Sequence, residues 1–256
     1  MIEHLVVNGC SFTEINPSYK SWADIVNESF NFNTYSNLAM GGAGNSYICK
    51  STIDYLEHCR VESEKILVAI MWSGISRKDL QINQDYWNLL ETHNYPFKAQ
   101  TVFGRGDTEE HTYQVFSGGF AGSWTVNPIT NEIFKPHYKI SSPEMMCKDS
   151  LLHFDQLSNY LERRKIKYVF TSYLNYWSFP DRLRYGDYVL EHYVGKFPCF
   201  KNINFNNWLF LDNNKKCFGD YALENKLFDS TNHPTGHAHK DFSEKFMIPK
   251  IKEILL

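Results

Sequence analysis

Ser11 stands where a continuous aliphatic run gives way to a turn, in Leu5-Val6-Val7-Asn8-Gly9-Cys10-Ser11-Phe12-Thr13. Such a run reads as a strand buried on both faces of a parallel sheet. Gly9 permits a tight turn at low steric cost. The carboxyl end of such a strand is where open α/β sheets place their ligands. A serine hydroxyl there acts as a nucleophile only if a base takes its proton and donors receive the resulting oxyanion. The far end of the chain offers the base, in Asp229-Ser230-Thr231-Asn232-His233-Pro234. A Gly-x-Ser triplet alone is an ordinary turn. An early serine and a late Asp/His pair meet only if the sheet brings the two ends of the chain together, which a doubly wound fold does.

Between them, Asn37-Leu38-Ala39-Met40-Gly41-Gly42 leads into the glycine-rich turn Gly41-Gly42-Ala43-Gly44-Asn45-Ser46. That turn lacks the Gly-Lys-Ser/Thr ending of a phosphate loop and has no Gly-x-Gly-x-x-Gly spacing, which argues against a nucleotide site. The three blocks together resemble the SGNH (GDSL-like) hydrolases. The Gly9-Cys10-Ser11-Phe12-Thr13 block is similar to a divergent branch, common in bacterial viruses, that carries Gly-Cys-Ser-Phe-Thr. The resemblance brackets nearly the whole chain and leaves its middle uncovered. It implies Ser11 as nucleophile, His233 as base, Asp229 as the residue that orients the imidazole, and the Gly42 amide as an oxyanion donor.

The chain departs from the family pattern in two places. The family's third block ends Gly-x-Asn-Asp, with the Asn donating to the oxyanion, whereas here Trp72-Ser73-Gly74-Ile75-Ser76-Arg77 follows the central apolar run. Asn45 and Ser73 are the substitute donors, with Asn45 favoured because its amide donates without giving up a proton. The family's Asp lies three residues before its His; here Ser230 holds that place and Asp229 lies one further back. A bulged loop, a Ser–His dyad, or Asp229 as a simple turn cap all fit. Arg77 can hold an anionic substrate or serve in a structural salt bridge.

The 256 residues suffice for one sizeable domain, and 43% hydrophobic with 21% charged residues fits a globular chain. Net charge is −3, from 26 basic and 29 acidic residues, so no general footprint for nucleic acid is present. Arg163-Arg164-Lys165 falls at an expected helix end, where cations complement the dipole. The six cysteines form no Cys-x-x-Cys, so neither a zinc nor a redox motif is indicated. His233, His237 and His239 cluster, yet no acidic or cysteine partner has metal-ligand spacing. No metal or organic cofactor is required. No run is long enough to span a membrane, and Met1-Ile2-Glu3-His4 does not open a secretory signal. A cytoplasmic protein with free thiols is expected; a virion component or one released by lysis carries the same signature. Oligomeric state is not legible.

The elements that must position these residues follow from periodicity. Strands are expected at residues 2–8, 34–37, 65–71 and 166–173, with Trp208-Leu209-Phe210-Leu211 as a last strand. Helices are expected from Ser21 to about Phe30, over about 45–60, from Pro143 to Arg164, and from Ala238 to Leu255 with an interruption near Pro249. The order indicates a three-layer α/β/α, flavodoxin-like fold with a mainly parallel sheet. Residues 78–143 and 174–228 read as irregular, aromatic-rich insertions within one domain spanning 1–256. The first forms either a wall over the pocket or a packed aromatic mini-core.

The expected chemistry is acyl transfer from a small-molecule or glycan ester to water, a carbohydrate O-acetyl group among the candidates. Two rivals stand beside it: a catalytically silent protein that holds a glycan or partner chain on its aromatic surface, and an O-acyltransferase.

Overall fold

The computed structural model describes residues 1–82, 101–102, 112–116, 140–177, 190–197, 200–201 and 203–256. The chain opens with β1 (His4–Asn8), α1 (Trp22–Phe30), β2 (Thr34–Asn37), α2 (Asn45–His58) and β3 (Ile66–Trp72). A small antiparallel sheet follows, of β4 (Asp79–Ile82), β5 (Thr101–Val102) and β6 (Thr112–Phe116) in the order β4-β6-β5. Then come α3 (Pro143–Arg163), β7 (Lys167–Ser172), α4 (Leu190–Lys196), α5 (Phe218–Glu224), α6 (Gly236–Phe242) and α7 (Ile248–Leu255).

The central sheet is parallel throughout, in the order β2-β1-β3-β7. The chain leaves β1 toward β2 and then returns to β3 on its other side. This reversal is the switch point at which doubly wound sheets bind ligands. β1 and β3 are fully buried along their length, as continuous aliphatic strands require when helices cover both faces. Alternate residues feed two separate cores. Val6, Val68, Ile70, Trp72 and Phe170 pack with Ile48 and Leu56 of α2 and Leu151, Phe154 and Leu157 of α3. Leu5, Val7, Leu67, Ala69, Met71 and Val169 pack with Trp22 and Val26 of α1, Phe242 of α6 and Ile251 of α7. The three layers are the direct result of period-two alternation in apolar strands.

One expectation changes and another is met in detail. Trp208–Leu211 does not form a full strand: it meets β7 through one parallel bridge, Phe170 with Trp208, and a 2.7 Å bond from the Leu209 amide to the Phe170 carbonyl. The closing helix is broken before Pro249 by a π turn at Ser243–Met247. Proline lacks the amide that would bond four residues back, and its ring crowds that carbonyl; one widened turn relieves both. The Ile248 amide accordingly reaches the Ser243 carbonyl.

Of the aromatics expected in the first insertion, Trp87, Tyr95, Phe97, Phe103, Phe120 and Trp124 lie outside the described residues. In the second, Trp177, Phe205, Trp208 and Phe210 pack edge-on and stacked against one another and against Phe154, with centroids 4.9 to 6.3 Å apart. That part of the aromatic excess builds core.

Candidate active site

Beyond β1 the backbone makes one tight turn, with the Thr13 and Glu14 amides both on the Cys10 carbonyl. Gly9 is required there, because a Cβ would collide with the Thr13 side chain. Asn8, the last residue of β1, is buried and fully used. Its oxygen accepts the Gly9 amide at 2.8 Å, and its NH2 lies 2.9 to 3.2 Å from Ser51 Oγ, Thr52 Oγ1 and the Ile48 carbonyl of α2. The turn is thus tied to the neighbouring helix before Ser11 is reached. Cys10 points into the core and is wholly buried, whereas Ser11 is half-exposed.

The Ser11 hydroxyl lies 2.9 Å from His233 Nε2. His233 sits in a loop closed by a Phe228–Pro234 bridge and by mutual bonds between Asp229 and His233: the Asp229 amide donates to the His233 carbonyl at 2.8 Å. Its other ring nitrogen, Nδ1, is 3.1 Å from both the carbonyl and the hydroxyl oxygen of Thr231. A carbonyl can only accept, so the bond to it places the proton on Nδ1. Nε2 then presents its lone pair to the Ser11 hydroxyl.

The Asp229 carboxylate meets the backbone of this loop and not the imidazole. Its Oδ1 accepts the Thr231 amide at 2.8 Å, the Thr231 hydroxyl at 2.6 Å and the His233 amide at 3.1 Å. These bonds, led by the Thr231 hydroxyl, hold its pKa below the usual carboxylate value. The extra residue between Asp229 and His233 is the physical reason: it turns the carboxylate inward on an Asx-type turn, with Asn232 in the left-handed region at φ 59°. Because the Thr231 proton goes to Asp229, its oxygen faces His233 as an acceptor. The series runs Ser11, His233, Thr231, Asp229. Thr231 was not singled out from the sequence, and nothing in residue type or spacing marks it.

The Met40–Ala43 turn lies beside the Ser11 turn, with the Met40 amide on the Gly9 carbonyl and the Ala43 amide on the Met40 carbonyl. Gly42 is in the left-handed region, φ 86°, which glycine adopts freely. Among the described residues neither the Ser11 amide nor the Gly42 amide has a hydrogen-bond partner. Asn37 completes the frame, donating to the Thr13 carbonyl and accepting the Ala39 amide.

Asn45 and Ser73 are brought into direct contact. The Ser73 amide donates to Asn45 Oδ1 at 2.8 Å, and Asn45 Nδ2 donates to Ser150 of α3 at 3.1 Å. Asn45 therefore clamps β3, α2 and α3 together. The Ser73 hydroxyl is buried without a partner. Arg77 is half-buried, donates to the Ala43 carbonyl at 3.3 Å and lies 5.3 Å over the Tyr173 ring. Among the described residues it makes no ion pair. Behind it lies a cavity lined in part by Asn45, Arg77, Asp149 and His153, which does not reach Ser11. Burial lowers the His153 pKa to about 4.

The remaining clustered histidines diverge. His239 is buried, accepts the Trp22 amide on Nδ1 at 3.1 Å, and has its pKa lowered to about 3 by burial. His237 is exposed, 3.9 Å from Asp241. Among the described residues no group of three His, Cys, Asp or Glu could hold a metal ion, and no helix is long and apolar enough to cross a membrane.

No family model and no curated protein matches the chain. Several solved structures align with it over nearly their whole length. A psychrotrophic esterase, EstA, from Pseudoalteromonas sp. is 11% identical over 99% of this chain and 98% of its own, with a TM-score of 0.48. An acetylxylan esterase, Axe2, from Geobacillus stearothermophilus is 12% identical over 97% and 94%, with a TM-score of 0.45. A phospholipase A1 from Streptomyces albidoflavus is 11% identical over 99% of both chains, with a TM-score of 0.39. At such identities and scores the functional reading of the site stands on its own geometry.

Proposed function

We propose that the protein is a serine acyl hydrolase that cleaves esters through Ser11 and His233. The observation that carries this reading is the 2.9 Å approach of Ser11 Oγ to His233 Nε2, with the opposite ring nitrogen held by an acceptor. His233 takes the Ser11 proton as Oγ bonds to the ester carbonyl carbon. The carbonyl oxygen becomes an oxyanion facing the free amides of Ser11 and Gly42. The bond from carbon to the alcohol oxygen then breaks, and His233 returns the proton to that oxygen. Water enters by the reverse sequence, giving up a proton to His233 as it attacks the acyl-serine, and the acid leaves with Ser11 restored.

Thr231 orients the imidazole through its carbonyl and hydroxyl, and Asp229 acts one bond further out, polarising the Thr231 hydroxyl and fixing the loop. Asn45, buried with its Oδ1 on the Ser73 amide and its Nδ2 on Ser150, holds β3, α2 and α3 together. Arg77 holds the oxyanion turn by the Ala43 carbonyl and offers a cation to substrates that carry an anionic group. The substrate class is an uncharged or anionic small-molecule or glycan ester.

The test is hydrolysis of 4-nitrophenyl acetate by the wild type and by Ser11→Ala and His233→Ala. Turnover by the wild type with loss in both variants supports the reading. Absence of turnover in the wild type on this and on acetylated sugar substrates refutes it.

A further inference from the structure

Asp79 opens β4, the first strand of the inserted antiparallel sheet, and its carboxylate is buried against the start of α2. One oxygen accepts the Gly44 amide and the other the Tyr47 amide, both at 2.7 Å. Gly44 is the N-cap of α2, and Tyr47 is its third residue. In a capping box these same two amides are satisfied by the side chains of the N-cap and third residues. Gly44 has no side chain to offer, so Asp79 serves both amides from a distant element. The fit demands glycine, since a Cβ on Gly44 would lie 2.9 Å from Asp79 Oδ2 and from the Arg77 carbonyl.

The same segment reaches one residue further back. Arg77 donates to the Ala43 carbonyl while Asp79 takes the Gly44 amide. Residues 77–79 thus grip both sides of the Ala43–Gly44 peptide, next to Gly42. The helix start is committed to a protein carboxylate and is not itself the open anion site; what it lends to the reaction is rigidity.

We propose that Asp79 is a positioning residue: it fixes the start of α2 and thereby aims the Gly42 amide at the oxyanion, making the inserted sheet part of the catalytic framework. This rests on the acyl-hydrolase reading above. The carboxylate is opposed by burial and supported by the two amides, Arg77 and Lys78, with a resulting pKa of about 6; the other ionisable group against it is Tyr47, raised to about 12 by burial.

The experiment measures kcat and KM on 4-nitrophenyl acetate for Asp79→Asn, Asp79→Ala and Gly44→Ala, each well below its melting temperature. Ser142→Ala, which removes the cap of α3, serves as a control for lost stability alone. Asp79→Asn keeps one acceptor and is expected to lower kcat about 10-fold, the other two about 100-fold, with KM within about 2-fold. Ser142→Ala is expected to lower the melting temperature and leave kcat unchanged. Wild-type kcat in Asp79→Asn and Asp79→Ala overturns the proposal, as does a loss carried by KM. Amide exchange separates this proposal from the reaction itself. Should the wild type hydrolyse no ester, faster exchange at Gly44 and Tyr47 in Asp79→Asn still upholds the capping role, and unchanged exchange overturns it.

Discussion

Two neighbouring nucleophiles, Cys10 and Ser11, compete for the assignment, and burial separates them. A thiol is intrinsically the stronger nucleophile, but Cys10 is wholly enclosed while Ser11 meets His233 at 2.9 Å. Cys10→Ala is expected to retain turnover within about 3-fold, whereas Ser11→Ala should lose about 10⁴-fold or more; steady-state ester hydrolysis reads both. The Thr231 relay gives a sharper test. Thr231→Val keeps the carbonyl acceptor and removes the hydroxyl that joins Asp229 to the ring. We expect Thr231→Val and Asp229→Asn each to lower kcat by about 10-fold, and the double variant to fall little further, because both act through one path. Full additivity in that cycle would separate Asp229 from the imidazole.

At the scale of elements, the site depends on how the end of β1 is tied to α2. Asn8 is the tie, with its NH2 on three acceptors of that helix. Asn8→Ala leaves buried acceptors unpaired and is expected to cost about 2–4 kcal/mol of stability, measured by urea denaturation; a loss under about 0.5 kcal/mol would remove Asn8 from the frame. The strands and helices that carry the site were legible because continuous aliphatic runs and period-3.6 faces are local signals. Val6 and Leu5 already belong to different cores by alternation alone. The supporting bonds were not legible. Asp79 reaches α2, Thr231 faces His233 and Asn45 receives the Ser73 amide through contacts that only the folded chain creates. Ser11, His233 and Gly42 stood out because the short blocks that hold them resemble those of the SGNH hydrolases, in which each has a fixed place. Asp229 stood out too, but its one-residue offset redirects the carboxylate in a way spacing alone leaves open.

At the scale of the molecule, burial of neutral histidines couples stability to pH. Burial lowers His239 to about 3 and His153 to about 4, against 6.5 for the free side chain. The unfolded chain therefore binds protons below about pH 6.5 that the folded chain refuses, and stability falls as the pH drops through that window. Asp79 works the other way between about 6 and 3.8, since its folded pKa is raised, and offsets part of the loss. The urea midpoint is expected to be lower at about pH 5 than at about pH 7.5, with the difference reduced in His239→Gln. A midpoint that rises on acidification would contradict this balance.

Ser11 and His233, 2.9 Å apart, are proposed to work as an activated nucleophile and its base. The most direct measurement is covalent labelling by a fluorophosphonate, with the modified residue located by mass spectrometry in the wild type, Ser11→Ala and His233→Ala. One adduct per chain is expected, on Ser11, absent from Ser11→Ala and formed far more slowly in His233→Ala. No adduct in the wild type, an adduct on Cys10, or a labelling rate indifferent to His233 would contradict it.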